Sequence, residues 1–272
     1  MPGAPDPTYA QARVTLLDAF DALRGQLDAL IVVGAQAVYL HTGEGDLAVP
    51  LFTTDADIAL DPADLHTDPE ITAAMSRGGF VRHATEPGMY VSASGVTVDL
   101  LVPEALAGAG RRAARIPGHE RGAARRAHGL EAALVDKVIM LIDGKEFGDT
   151  RAFEVAVAGR SALLVSKVVK IAERTARPSR LKDKDALDIL RLLRSSDPHD
   201  LARVLGELIA TDSCGKVTQE AIGGLRELFG SPDSLGSQMA ASAASPMADP
   251  EVIAASCAAL TRELLQMLGG GH

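Results

Sequence analysis

Three aspartates in two short apolar segments are the residues best placed to do chemistry: Asp55 and Asp57 in TTDADIAL, and Asp99 in VTVDLLV. DADIAL alternates acid and apolar positions with the two-residue period of a strand, so Asp55 and Asp57 project from one face. In the second segment Asp99 shares a face with Thr97, while Val96, Val98 and Leu100 take the other. Carboxylates gathered on one face repel, and one takes up a proton unless a hard divalent cation such as Mg²⁺ or Mn²⁺ neutralises them. Ions held by such acids can grip a triphosphate and activate an attacking hydroxyl, stabilising both oxygens of an in-line phosphoryl displacement. The plain alternative is an Asp-x-Asp that merely opens a strand at a turn. A calcium loop is excluded, because the sixth and twelfth positions from Asp55 are Leu60 and His66 where an EF-hand needs Gly and Glu.

Cationic residues fall in two clusters. Between Arg111 and Arg126 lie Arg111, Arg112, Arg115, Arg121, Arg125 and Arg126 against Glu120 alone, although the whole chain carries a net charge of −9. Such a segment reads either as a mobile loop that grips a polyanion through its phosphates or as an exposed linker. Aromatic residues make up 3% of the chain and none lies in either basic cluster, so base stacking is not expected. In the second cluster Lys167, Lys170 and Arg174 recur at i, i+3 and i+7, on one face of a helix. They make either a solvated stripe or a cationic face toward phosphates. Asp185 and Asp188 share a face of the next helix, and a structural salt bridge between domains competes with a functional role for Asp185.

The elements that must position these groups follow from periodicity. Residues 8 to 27 read as an amphipathic helix, LIVVG (30 to 34) as a strand, and AQAVYLHTG as a buried helix ending at Gly43. A helix over residues 67 to 77 precedes a hairpin that turns near Ser94 and Gly95. AALVDKVIMLI is open between strand and helix, and FEVAVAG reads as a strand. From Ser161, taken as a cap, the pattern becomes helical: SALLVSKVVKIAER, KDKDALDILRLL, then residues 198 to 210, 216 to 229 and 250 to 268. The Ser/Ala/Pro-rich stretch 231 to 249 reads as a connection between helices. The expected architecture is α/β (α+β): a mixed-sheet domain over residues 1–159 and a helical domain over 160–272. No uninterrupted apolar run reaches the ~18 residues of a membrane span, and the N-terminus lacks an export pattern, so a cytoplasmic protein without a membrane partner is expected. Cys214 and Cys257 are too few and isolated for a disulfide framework or a thiolate metal site. His41, His83, His119 and His128 show no ligand spacing and are assigned to the surface or local hydrogen bonding.

Taken together, VVGAQAVYL, TTDADIAL and VTVDLLV resemble the polymerase β-like nucleotidyltransferase superfamily, whose pattern is a hydrophobic-Gly-Gly/Ser turn, a spacer, Asp-h-Asp-h and a later third acid. Within it, LLVSKVVKIAER followed by RLKDKDALDILRLL resembles the AbiEii-type toxins of bacterial abortive-infection and toxin–antitoxin pairs, the likeness covering residues 31 to 194. The resemblance implies metal ligation by Asp55, Asp57 and Asp99, a phosphate turn at Gly34 and Ala35, nucleotide contacts from Lys167 and Lys170, and support of the catalytic site by Asp185. It further implies an NTP substrate with Mg²⁺ or Mn²⁺, and an RNA acceptor, the tRNA 3′ end, held by Arg111, Arg112, Arg115, Arg125 and Arg126. A cognate antitoxin is the implied partner. Two features depart from the pattern. Ala35 replaces the usual second Gly or Ser, and nineteen residues separate it from Asp55, a length that an inserted loop GEGDLAVPLF (43 to 52) explains. A small-molecule nucleotidyltransferase and a non-catalytic scaffold of the same fold are the rival expectations.

Overall fold

A computed structural model describes residues 6–43, 49 and 51–269. The chain divides into two compact units, Met1–Ala37 with Leu51–Ala158, and Val38–Pro50 with Gly159–His272. The GEGDLAVPLF insertion lies largely outside the described residues.

The first unit is built on one mixed sheet. Helix α1 (Pro7–Ala22) begins where the Asp6 carboxylate accepts the backbone N–H groups of Thr8 (2.7 Å) and Tyr9 (3.3 Å). The helix ends at Ala22, short of the expected residue 27, and a 3₁₀ turn (Arg24–Ala29) leads into β1 (Leu30–Val33). Helix α2 (Gly34–Thr42) starts directly from β1. Strands β2 (Asp55–Leu60), β3 (Val81–Arg82), β4 (Met89–Val91), β5 (Thr97–Pro103), β6 (Arg125–Ala127), β7 (Lys137–Gly144) and β8 (Asp149–Ala158) complete the sheet. Their order is β3-β4-β5-β2-β1-β8-β7, with β6 also on β5. The AALVDKVIMLI segment is thus a 3₁₀ turn (Glu131–Leu134) followed by the edge strand β7. Helix α3 (Ile71–Arg77) starts later than residue 67, because the Glu70 side chain caps it by accepting the Ala73 N–H at 2.8 Å.

The register places the acids. β2 and β5 run parallel, with Asp55 beside Thr97 and Asp57 beside Asp99. On its other side β2 pairs antiparallel with β1, Val33 facing Asp57. The far edge of β5 is shared: β4 pairs with Thr97–Asp99, and β6 pairs with Leu101–Pro103. Arg125, at the start of β6, therefore sits beside Leu101 on the face that carries Asp99.

The second unit is helical: α4 (Arg160–Thr175), α5 (Asp183–Ser195), α6 (Pro198–Ile209), α7 (Gly215–Phe229), α8 (Leu235–Ala244) and α9 (Pro250–Gly269). The cap of α4 is Gly159 rather than Ser161, whose side chain is buried. The stretch 231 to 249, expected as a bare connection, contains α8, which buries Gly236, Met239, Ala240 and Ala244 at helical spacing. Helix α9 is long and apolar enough to cross a membrane by length and composition. It also buries Ile253, Cys257, Ala258, Thr261 and Leu264 as one stripe, the pattern of a helix packed on its neighbours. Tyr39, His41 and Val49 join this unit through Arg160, which donates to the His41 carbonyl at 2.8 Å, and Arg191, which donates to the Val49 carbonyl at 2.6 Å and stacks over the Tyr39 ring.

Candidate active site

Asp55, Asp57 and Asp99 lie on one face of the first unit's sheet, the last two as lateral neighbours on parallel strands ~4.8 Å apart. Gly34 is what lets them stand there. Its φ of +71° lies in the left-handed region, and a Cβ on it would fall 2.1 Å from Asp57 Oδ2, so only glycine fits between the strand end and that carboxylate. Ala35, the next residue of the expected phosphate turn, is 4% exposed and belongs to the core.

Asp55 and Asp99 are each oriented by a neighbour. Thr53 Oγ1 donates to Asp55 Oδ1 at 2.7 Å. The side-chain amide of Gln36, on α2, donates to the Asp55 carbonyl at 3.3 Å and to the Ala12 carbonyl at 3.0 Å, while its oxygen accepts from Arg13 at 3.1 Å. Helix α1 is thereby tied to the start of β2. Arg125 donates to Asp99 Oδ2 at 2.8 Å. Burial works against charge on this guanidinium, but Asp99 first and Asp57 after it hold its pKa above the ordinary value. The remaining oxygen, Asp99 Oδ1, is buried without a hydrogen-bond partner among the described residues. Among those residues no three His, Cys, Asp or Glu side chains already converge as a metal-ligand set. Asp55 accepts from Thr53 and Asp99 from Arg125.

The residues nevertheless suit a hard cation. Three carboxylates and one guanidinium leave two net negative charges, which a single divalent ion balances, and Asp99 Oδ1 is an acceptor with nothing to accept. Sequence reasoning missed Thr53, Gln36 and Arg125 as organisers of this cluster. A hydroxyl two residues before Asp55 was visible in TTDAD, but the Arg125 pairing spans 26 residues and depends on register alone.

The arginine-rich segment is neither a bare loop nor a linker throughout. Arg125 and Arg126 lie in β6, and Ala113 bridges to Arg125. Arg126 donates to the carbonyls of Gly108 and Gly110 and faces Glu104, and Arg112 is ion-paired with Glu86. Arg125, Arg126 and Arg112, expected to hold RNA, thus have protein partners, although the Arg112 side chain is 60% exposed. Arg111 and Arg115 are exposed.

Lys167, Lys170 and Asp185 belong to the second unit, where they form a buried ion-pair network between α4 and α5. The Lys167 side chain is 3% exposed, and its ammonium donates to Asp185 at 2.9 Å and to Asp188 at 2.6 Å. Lys170 and Arg174 also donate to Asp185, at 3.0 and 3.3 Å. Burial pulls the Lys167 pKa down, but the two carboxylates more than reverse this and hold it above the ordinary lysine range. The same lysines hold Asp185 below the carboxylate range against its own burial. Lys167, expected to face a phosphate, has its ammonium bonded to two carboxylates. Asp185 makes ion pairs as the structural alternative supposed, but with partners in its own unit. His119, expected at the surface or in a local hydrogen bond, has a fully buried side chain, and its Nδ1 accepts the Ile71 N–H at 3.2 Å. No protein-family model and no curated sequence matches this chain.

Proposed function

We propose that the chain is a metal-dependent nucleotidyltransferase that moves a nucleoside monophosphate from an NTP to an acceptor, with RNA, and the tRNA 3′ end in particular, as the favoured acceptor. The observation that carries this reading is the lateral pairing of Asp57 with Asp99, Asp55 on the same face, beside a glycine that leaves room for the Asp57 carboxylate. Asp55, Asp57 and Asp99 would hold Mg²⁺ or Mn²⁺. When bound, the cation supplies charge neutralisation to the triphosphate and lowers the pKa of an attacking hydroxyl. Thr53 and Gln36 keep Asp55 at the strand start, and Arg125, ion-paired with Asp99, would supply a cationic group to the phosphates. A role as a toxin restrained by an antitoxin belongs to the same proposal, as does a cytoplasmic location.

A second reading, a non-catalytic scaffold, draws on one observation: the Asp99–Arg125 ion pair already neutralises one acid without a metal. Calorimetry with Mg²⁺ and each NTP separates the two, since the scaffold gives no metal-dependent nucleotide binding. Incubation with total RNA and each labelled NTP then tests the transfer. Label on tRNA with the wild type and metal, lost in Asp57→Ala, is the expected result. Label retained by Asp57→Ala removes the acids from the reaction.

A further inference from the structure

The outer edge of the sheet raises a separate question. β7 is eight residues long, and among the described residues no strand pairs with its outer side. Ile139 is 64% exposed, Leu141 61% and Val138 45%. A long, flat, apolar edge is a template for strand addition, and proteins ordinarily blunt such edges with charge, proline or a bulge. β7 carries no proline, and its single irregularity falls at its far end, between Asp143 and Gly144.

We propose that a second copy of this chain covers the edge, the two β7 strands pairing antiparallel about a two-fold axis through Met140. Side chains paired across antiparallel strands lie on the same face, which restricts self-pairing to axes that pass through a residue. The axis at Met140 sets Ile139 opposite Leu141, Val138 opposite Ile142 and Lys137 opposite Asp143, each pair occurring twice. Apolar residues thus meet apolar ones, and each lysine meets an aspartate. The neighbouring choices fail this test. An axis at Leu141 opposes Lys137 to Lys145 and Ile139 to Asp143, and an axis at Ile139 opposes Lys137 to Leu141 and Asp136 to Ile142. Within one chain Lys137 reaches Asp61 at only 3.6 Å, and Asp143 accepts the Lys145 N–H on Oδ1 at 3.2 Å while its Oδ2 meets the Lys145 ammonium at only 3.7 Å, which leaves Lys137 and Asp143 Oδ2 able to serve a partner. Because β7, β8, β1 and β2 are continuous in register, the paired sheet carries two acid clusters on one face.

Light scattering coupled to size exclusion on the full chain, across micromolar concentrations, should give twice the 28.3 kDa chain mass. Ile139→Lys, an exposed position, should give the single-chain mass with an unchanged far-UV circular-dichroism spectrum. Lys137→Glu should weaken association about tenfold or more, and adding Asp143→Lys should restore it. Oxidised Met140→Cys should form a covalent dimer, since its symmetry mate lies ~5 Å away. Val138→Cys should not, its mate lying ~14 Å along the strands. The native Cys214 and Cys257 are buried and do not compete. A wild type of single-chain mass overturns the proposal, as does a dimer that Ile139→Lys leaves intact. A dimer in which Met140→Cys does not cross-link, or in which the double charge exchange fails to restore association, overturns the Met140 axis.

Discussion

Replacing Lys167 by methionine removes a cation bonded to both Asp185 and Asp188 while keeping the apolar stem. The Asp185 and Asp188 side chains are 1% and 2% exposed, so solvent cannot take the place of the lost ammonium. Asp185 keeps Lys170 and Arg174, whereas Asp188 loses its bond to Lys167 outright. Breaking a buried ion pair by removing one partner costs ~3–5 kcal/mol, because the remaining charge stays buried and uncompensated. For a unit of this size, between the small and the large domain classes, each kcal/mol shifts the midpoint by ~4 °C, so the second unit should melt roughly 12–20 °C lower. Far-UV circular dichroism reports this directly, since the unit is helical. Adding Asp188→Asn to Lys167→Met should recover much of the loss by removing the stranded charge. A melt of Lys167→Met within about 2 °C of wild type, the range of an exposed pair, would refute the argument. Loss of NTP binding with that unchanged melt would instead return Lys167 to the phosphate role the family resemblance implies.

Gly34→Ala must adopt φ +71° with a side chain, at ~1–2 kcal/mol, and must displace the Asp57 carboxylate as well. A lower denaturant midpoint together with weakened metal-dependent nucleotide binding is expected, and a wild-type midpoint would contradict it. Arg125→Gln raises the net negative charge of the acid cluster by one, so the thermal stabilisation produced by Mg²⁺ should grow; an unchanged shift would mean that the cluster does not bind the ion. The pH dependence follows from the ion-pair network. Asp185 is held below its ordinary value, so its stabilising contribution is complete above about pH 4 and fades as pH falls toward its folded-state pKa; Lys167 is held above its ordinary value, so its contribution persists below about pH 10 and is lost above it. The melting gap between wild type and Lys167→Met should therefore be flat from about pH 5 to 9 and narrow in acid, and a gap constant down to about pH 2 would exclude this linkage.

Much of the architecture was legible because it rests on local periodicity. The alternation in DADIAL and VTVDLLV marks strands whatever they pair with, and the apolar spacing after residue 160 marks helices. The misreadings came where local composition and packing diverge. Residues 231 to 249 look like a linker because of their Ser, Pro and Ala, yet alanine is the strongest helix former, and Gly236, Met239, Ala240 and Ala244 already carried a buried face. The placement of His41 and Val49 with the helical unit could not be read from order along the chain, because it depends on bonds from Arg160 and Arg191 more than a hundred residues away.

The site separates in the same way. That Asp55 and Asp57 share a face follows from the pleat alone, but that Asp99 joins them follows only from the parallel pairing of β2 with β5, since a slip of one residue would send Asp99 to the other face. The same register carries Arg125 in, through β6 on the far side of β5. A cluster of arginines counted by composition invites a polyanion, whereas a strand pairing assigns one of them to an aspartate. Charge patterning along a sequence therefore locates cations without revealing their partners. Here the difference decides chemistry: an arginine spent on Asp99 leaves the cluster with two negative charges rather than three, the number one divalent ion can balance.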